Sequence, residues 1–289
     1  MNNYTIKETL NIALRDLEAA NIDDAKQNVN LIASKALNIE YTKLPLYWNQ
    51  PVSDDFYKNF HAMLERRLKH EPLQYILGEW GFLDFDIKVG EGALIPRPET
   101  EEVFLAAAEA IKANSIKSDF KFADVGTGTG ILGLAMAKYF PESIGYLIDI
   151  SEEALKIAKS NLRKYSELKS RLNLMKSDLL EVFQADSLDV IISNPPYIDS
   201  EDVKSLMPEV VDYEPHLALD GGVNGLEIIA KLLKQAEKVL KNNGLLIFEH
   251  GHGQRESLKK IFSSCWSIIK EGKDFANNER YFILQIKKD

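Results

Sequence analysis

An α/β fold, a doubly wound parallel sheet with a small helical domain in front of it, is predicted by three observations. From residue 121 onward short β-branched runs alternate with helical stretches, the pattern of strands joined by helical crossovers. Before residue 75 only helical periodicity is found. Between the first run and the helix after it lies Asp124-Val125-Gly126-Thr127-Gly128-Thr129-Gly130, where glycine at alternate positions lets the backbone turn sharply from strand to helix.

The 289 residues suffice for two domains, and 45% hydrophobic with 27% charged residues is the composition of an ordinary globular protein. No apolar run approaches the roughly 20 residues of a membrane span, and Met1-Asn2-Asn3-Tyr4-Thr5 lacks the pattern of a signal peptide. A cytoplasmic protein without membrane contact is expected. Cys265 is the single cysteine, which excludes an intramolecular disulfide and argues against a thiolate metal site. A net charge of −9 argues against sequence-independent nucleic-acid binding, which needs many Lys and Arg contacts to phosphate.

Thr5-Ile6-Lys7-Glu8 has capping-box spacing, and Ile6, Leu10, Ala13, Leu14 and Leu17 follow at helical intervals. Asn21-Ile22-Asp23 breaks that helix, and Ala25, Val29, Ile32, Ala33, Ala36 and Leu37 stripe a second, ended by Asn38. Residues 41–51 read as a connection with a short helical turn. Ser53 and Asp54 cap a third helix, striped by Phe56, Phe60, Met63, Leu64 and Leu68, on which Arg66 and Arg67 read as solvated charges. Trp80-Gly81-Phe82, a turn at Leu83-Asp84 and Phe85 to Val89 suggest a hairpin. Residues 1–78 are thus expected to be a helical bundle that recognises a partner, 79–98 a hairpin linker and 99–289 the catalytic domain. Thr100 is placed to cap a helix over 103–113, and Arg97 with Glu99 reads equally as a structural ion pair or as cofactor contacts.

Strands are expected at 122–125, 145–150, 172–175 and 188–192, with helices at 131–139 and 152–165 between them. A long helix over 225–241, stopped by Asn242-Asn243-Gly244, leads to a fifth strand at 245–249. The fourth run is apolar and β-branched, as suits a strand buried on both faces. It stops at Asn194-Pro195-Pro196-Tyr197, at the strand end where open α/β sheets bind ligands. The Asn194 amide carries acceptor and donors, Pro195 has a carbonyl and no N–H, and Tyr197 offers a flat face. Such a group grips a planar amide or aromatic amine; taken alone it is equally a stiff loop.

Asp149 ends the second strand, 19 positions beyond Gly130, where a carboxylate binds the two hydroxyls of a ribose, with Ile150 beside it as a further cofactor contact. Gly128-Thr129-Gly130-Ile131-Leu132-Gly133 also satisfies the dinucleotide pattern, so NAD competes with S-adenosylmethionine. Three features favour the sulfonium cofactor. Asp124 precedes the glycines, where a carboxylate suits an ammonium better than a pyrophosphate. Ser177-Asp178-Leu179 supplies a polar group and an apolar edge for an adenine. Asn-Pro-Pro-Tyr faces the reactive methyl. The cofactor set is therefore Asp124, Gly126, Thr127, Gly128, Thr129, Gly130, Asp149, Ile150, Asp178, Leu179 and Asn194. His250 and His252 beside Glu249 invite a metal reading, but a third well-spaced ligand is missing and no metal is expected.

Glu71-Pro72-Leu73-Gln74-Tyr75-Ile76-Leu77-Gly78, Leu94-Ile95-Pro96-Arg97-Pro98-Glu99-Thr100-Glu101, the glycine loop, Ser193-Asn194-Pro195-Pro196-Tyr197-Ile198 and Tyr213-Glu214-Pro215 together resemble the HemK/PrmC family. Leu217 to Gly222, Asn224-Gly225-Leu226, Glu249-x-Gly251 with Gln254, and Lys273-Asp274 before Arg280 agree. Phe275-Ala276-Asn277-Asn278-Glu279 replaces a loop that contains glycine in the family, and Leu179 stands where an aromatic is frequent. The resemblance implies a class I S-adenosylmethionine-dependent methyltransferase fold, Rossmann-like and seven-stranded, closed by an antiparallel pair at 266–269 and 280–286. It implies methylation of the Gly-Gly-Gln glutamine of peptide chain release factors, by a monomer that needs no metal and yields S-adenosylhomocysteine.

A primary amide is a poor nucleophile, so alignment with the methyl–sulfur bond is the expected tool. In this reading Asn194 and the Pro195 carbonyl accept the two amide hydrogens while Pro196 and Tyr197 pack on the amide plane. No strong base stands beside the motif. The rivals are a methyltransferase for a ribosomal-protein glutamine, one for the exocyclic amine of adenine in DNA or RNA, which must flip its base, and a binding module that performs no transfer.

Overall fold

The computed structural model describes residues 4–288; the first three residues, on which the reading of an absent signal peptide partly rests, lie outside them. The chain divides into two compact units, a helical one that ends at Trp80 and also takes in Met207–Tyr213, and a sheet unit of Gly81–Leu206 and the chain from Glu214 onward.

In the helical unit α1 spans Ile6–Ala19 and opens on the expected capping box: Glu8 N donates to Thr5 Oγ1 at 3.3 Å and Thr5 N to Glu8 Oε2 at 2.8 Å. Helix α2, Ala25–Leu37, stops at Asn38 with φ 53°, the left-handed conformation asparagine tolerates. A 3₁₀ turn over Tyr41–Tyr47 leads to α3, Asp54–Leu68, which Ser53 caps through the Phe56 N–H. Leu17, Ile32 and Phe60 are fully buried at the centre. Helix α4, Leu73–Leu77, is closed by Gly78 at φ 73° and lies between the expected third helix and the hairpin.

Arg67 corrects the reading of Arg66 and Arg67 as solvated charges. It recurs with Phe60 and Leu64 at i, i+4, i+7 and so falls on the buried face of α3, 4% exposed. Its guanidinium donates to Asn28 Oδ1 at 2.7 Å and to the Glu71 carbonyl at 2.9 Å, and pairs with Glu209 at 2.7 Å. Glu209 lies on a one-turn helix, Pro208–Val211, beside which the Tyr213 hydroxyl donates to the Lys69 carbonyl at 2.7 Å. Residues 207–213, which the sequence reading counts with the catalytic domain, are therefore fastened into the helical unit.

The expected hairpin forms from β1, Glu79–Phe82, and β2, Phe85–Lys88; the division between the units falls within β1. Helix α5 spans Pro98–Ala113, beginning earlier than expected because Pro98 is suited to the first helical turn. Arg97 is its N-cap residue and Thr100 caps nothing. There follow β3 (Lys121–Val125), α6 (Ile131–Tyr139), β4 (Ile144–Asp149), α7 (Glu152–Lys164), β5 (Leu172–Lys176) and β6 (Leu188–Ser193). A helix over Glu227–Val239 precedes β7 (Leu240–Glu249), a short helix over Arg255–Ile261 follows it, and β8 (Trp266–Lys273) and β9 (Glu279–Ile286) end the sheet.

The seven strands lie in the order β5-β4-β3-β6-β7-β9-β8, parallel except that β9 runs against both β7 and β8. Val190, Ile191 and Ile192 are all fully buried, as their unbroken apolar run requires. Asn242-Asn243-Gly244 does not stop the long helix, which ends at Val239. Leu240 is buried and pairs with Leu188, so sheet pairing overrides continued helix, and the Asn-Asn-Gly residues fall at a register shift in β7 with Asn243 at φ 64°. Gly225, at φ 67°, lies before that helix rather than in it. Among the described residues no helix is long and apolar enough to cross a membrane.

Candidate active site

Strand order turns back at β3, with β4 and β5 on one side and β6 and β7 on the other, and the carboxyl ends of β3 and β6 open the crevice where such sheets bind ligands. Val125 is in register with Ser193, so the glycine loop and Asn194 leave the sheet side by side, and the Ser193 hydroxyl donates to the Val125 carbonyl at 2.7 Å. A cavity of about 280 Å³ lies there. Gly126, Thr127, Gly128, Thr129, Asp149, Ile150, Asp178, Leu179, Asn194 and Pro196 line it; Asp124, Gly130, Pro195 and Tyr197 do not.

The glycines serve different ends. Gly126 and Gly128 have φ of 67° and 53°, and a Cβ on either would meet no protein atom closer than 3.9 Å, so their small size leaves room at the cavity wall. At Gly130 a Cβ would press on Ala158 at 3.1 Å and at Gly133 on Leu147 at 2.6 Å, so these two let α6 pack on its neighbours.

Asp124 is buried at the end of β3. Its Oδ2 accepts from Thr127 Oγ1 and from the Gly133 N–H at 2.8 Å, while Oδ1 has no hydrogen-bond partner. Burial pushes its pKa up to about 7, against the opposing pull of those two donors. Asp149 accepts from the Gly128 N–H and the Ser151 N–H, both at 2.9 Å, and burial raises its pKa as well. A carboxylate has about four lone-pair sites, so Asp149 braces the glycine loop and still keeps acceptor capacity. Asp178 pairs with Lys231, which also reaches Glu181 at 3.4 Å; Ser177 Oγ, at the cavity wall, is buried without a partner.

The Asn-Pro-Pro-Tyr loop is held from several sides. Asn194 Nδ2 donates to Thr100 Oγ1 at 3.1 Å, and Thr100 Oγ1 donates to Glu249 Oε2 at 2.8 Å. The Tyr197 hydroxyl donates to Glu249 Oε1 at 3.0 Å, and Gln254 Nε2 donates to the Tyr197 carbonyl at 2.8 Å. Ile198 bridges to Asp220 in parallel. A Cβ on Gly225 would stand 2.0 Å from the Tyr197 carbonyl oxygen. Tyr197 packs against the sheet core with its hydroxyl on a buried acid, and it is not among the residues that line the cavity. Burial raises the pKa of its hydroxyl and brings that of Glu249 up to about 7, the latter opposed by the Thr100 and Tyr197 hydrogen bonds.

A match to the model of the PrmC N-terminal domain covers residues 8–78, and one to the methyltransferase small domain covers residues 106–216. The release factor glutamine methyltransferase of Thermodesulfovibrio yellowstonii is 38% identical over 252 residues, which is 86% of this chain and 89% of that protein. This chain belongs to the release factor glutamine methyltransferase family. The family member from Clostridium acetobutylicum is 32% identical over 95% of this chain and 96% of its own length. A methyltransferase structure from Pyrococcus furiosus, 19% identical, covers 72% of this chain and 92% of its own with a TM-score of 0.51, a likeness of fold.

The donor set fits the S-adenosylmethionine of a methyltransferase: an unspent buried carboxylate oxygen on Asp124, an unspent hydroxyl on Ser177, spare lone pairs on Asp149 and two glycines without Cβ at the wall. Arg97 pairs not with Glu99 but with the buried Glu214, its Nη2 reaching both carboxylate oxygens at 2.7 and 2.8 Å. His250 is buried with its pKa pushed down to about 4 by burial, and its Nδ1 donates to the Gly251 carbonyl at 2.8 Å. No group of three His, Cys, Asp or Glu placed to hold a metal occurs among the described residues. The residues to which sequence reasoning gave no part in the site are Thr100, read as a cap within a family stretch, and Glu249, read as a neighbour of the histidines and as part of the family piece Glu249-x-Gly251. The signal for Glu249 was present: an acid at the carboxyl end of the apolar run Leu245 to Phe248.

Proposed function

We propose that this chain transfers a methyl group from S-adenosylmethionine to the side-chain amide nitrogen of the glutamine in the Gly-Gly-Gln motif of peptide chain release factors. What supports the reading most is the meeting at one cavity of the glycine loop, bracketed by Asp124 and Asp149, with an Asn194 whose Nδ2 is already engaged. S-adenosylmethionine, when bound, supplies an electrophilic methyl on a positively charged sulfur.

Asp124, unspent at Oδ1, would hold the ammonium end, directly or through water, with Thr127 at its other oxygen. Asp149 would take the ribose hydroxyls with its remaining lone pairs, and Ile150, Asp178 and Leu179 would flank the adenine. On the acceptor side the Asn194 Oδ1 is free to accept one amide hydrogen because Thr100 occupies the Nδ2 end. The Pro195 carbonyl, although Pro195 does not itself line the cavity, would accept the other, and Pro196, at the cavity wall, would pack on the amide plane. Two hydrogen bonds in one plane aim the nitrogen lone pair, and orientation of this kind contributes roughly 7 to 11 kcal/mol in favourable systems. Tyr197 acts from behind, fixing the loop through Glu249.

A protein acceptor suits the −9 net charge better than a nucleic acid does. On this reading the enzyme acts as a cytoplasmic monomer, where its substrate is found. Incubation with purified release factor and S-adenosylmethionine, followed by peptide mass analysis, tests it: one added methyl on the Gly-Gly-Gln glutamine is expected. Methylation of a ribosomal protein and not of the release factor would overturn it.

A further inference from the structure

Thr100, from the first turn of α5, stands between Asn194 and Glu249, which follow β6 and end β7 at adjacent register positions. Thr100 and Glu249 are 4% and 1% exposed, so solvent does not complete their hydrogen bonding. A hydroxyl has one proton to give. In its ionised form, which its Thr100 and Tyr197 hydrogen bonds favour and which prevails above about pH 7, Glu249 has no proton to give, so the Thr100 proton goes to Glu249 Oε2 and the Tyr197 proton goes to Oε1. Thr100 Oγ1 is then left as an acceptor only, and the group that Asn194 must present to it is the Nδ2 amine. Were Thr100 free to donate to Asn194, the amide could turn over and aim two donors at an acceptor that itself brings two N–H groups.

We infer that Glu249, acting through Thr100, sets which end of the Asn194 amide faces the acceptor, so that Oδ1 and not Nδ2 meets the glutamine amide. The inference rests on the reading of Asn194 as the group that receives that amide. Glu249 and Thr100 are positioning residues here, acting through the Asn194 amide, Thr100 from the cavity wall and Glu249 from behind it. Tyr197 completes the arrangement by occupying the second oxygen of Glu249, which keeps that carboxylate from turning away from Thr100. The buried acid joined to the acceptor clamp through Thr100 is thereby explained without assigning it a proton to abstract.

Thr100→Val keeps shape and removes both hydrogen bonds, while Thr100→Ser keeps the hydroxyl. In Thr100→Val the turnover at saturating substrates is expected to fall about 100-fold, the effect of a misaligned reactant, with S-adenosylhomocysteine affinity by calorimetry within about three-fold of wild type. That affinity also reports that the variant is folded. Thr100→Ser recovers most of the turnover. A second measurement needs no substrate: the side-chain NH₂ signal of Asn194 in a ¹⁵N spectrum, assigned by its disappearance in Asn194→Asp, is protected from solvent exchange in wild type and Thr100→Ser and loses protection in Thr100→Val. Unchanged protection in Thr100→Val, or full turnover in that variant, overturns the inference. If the wild type transfers no methyl to a release factor the functional reading falls, and the exchange comparison alone still decides the role of Thr100.

Discussion

Asp124→Asn is expected to stabilise the ligand-free fold at alkaline pH while weakening the binding of an ammonium-bearing cofactor. The carboxyl is fully buried, its Oδ1 has no partner, and its pKa is raised from 3.8 to about 7. Between those two values the folded state holds a proton that the unfolded chain releases, so stability falls as pH rises through that window. A span of about three pH units at 1.36 kcal/mol each amounts to about 4 kcal/mol, of which about 2 kcal/mol is lost between about pH 5.5 and 8.5. Asparagine does not ionise. Its oxygen can accept from both Thr127 and Gly133, as Oδ2 does, and the cost of placing an NH₂ at the unpartnered site is the same at every pH. Urea unfolding at the two pH values, with and without S-adenosylmethionine, is the assay. The variant-minus-wild-type stability should rise by about 2 kcal/mol from the acid to the alkaline measurement without ligand, and the stabilisation conferred by ligand should shrink in the variant. A flat difference between the two pH values would refute the claim that burial holds the Asp124 carboxyl protonated up to about pH 7 in the ligand-free fold.

Asn194→Ala should leave S-adenosylmethionine affinity within a few-fold and abolish most methyl transfer, whereas Asp149→Ala should weaken cofactor binding first, since it also releases the Gly128 N–H; calorimetry beside steady-state kinetics separates the two, and the reverse pattern would exchange their roles. In Gly225→Ala the new methyl would stand 2.0 Å from the Tyr197 carbonyl oxygen on a backbone at φ 67°, so a loss of about 2 to 3 kcal/mol is expected in thermal unfolding. Turnover should fall further than cofactor affinity, and an unchanged Tm would show that the loop is not pressed against Gly225. Arg67→Met leaves the Asn28 oxygen and the Glu71 carbonyl unpaired inside the helical unit and frees the partly exposed Glu209, for an expected cost of about 2 to 3 kcal/mol in chemical denaturation. An unchanged midpoint would mean that water replaces the guanidinium.

Much of the sheet was legible because its strands carry their signal locally. The run from Leu188 to Ile192 and the helix Ile131–Tyr139 lie where periodicity puts them, and Thr5 and Ser53 cap the helices they were read to cap, since a cap is a contact across three residues. Errors fell where a distant partner decides. Leu240 leaves its helix because Leu188 awaits it on β6, Arg67 is buried because Asn28 and Glu209 receive it, and Arg97 takes Glu214 rather than the nearer Glu99.

What this sequence determines unaided is the set of chemical groups and their order: a glycine loop between an aspartate and a helix, a second acid one strand later, an amide and two prolines at the end of a buried strand. These are legible because each depends on neighbours a few residues away, through backbone turns, caps and strand periodicity. Tertiary structure alone decides how the groups are spent. Only the register of β3, β6 and β7 brings Gly126, Asn194 and Glu249 to one crevice, and only α5 places Thr100 between the last two, 149 positions from the acid it bonds. Hydrogen-bond direction in a buried chain follows from which member lacks a proton, a property of burial and partners that no local stretch of sequence contains.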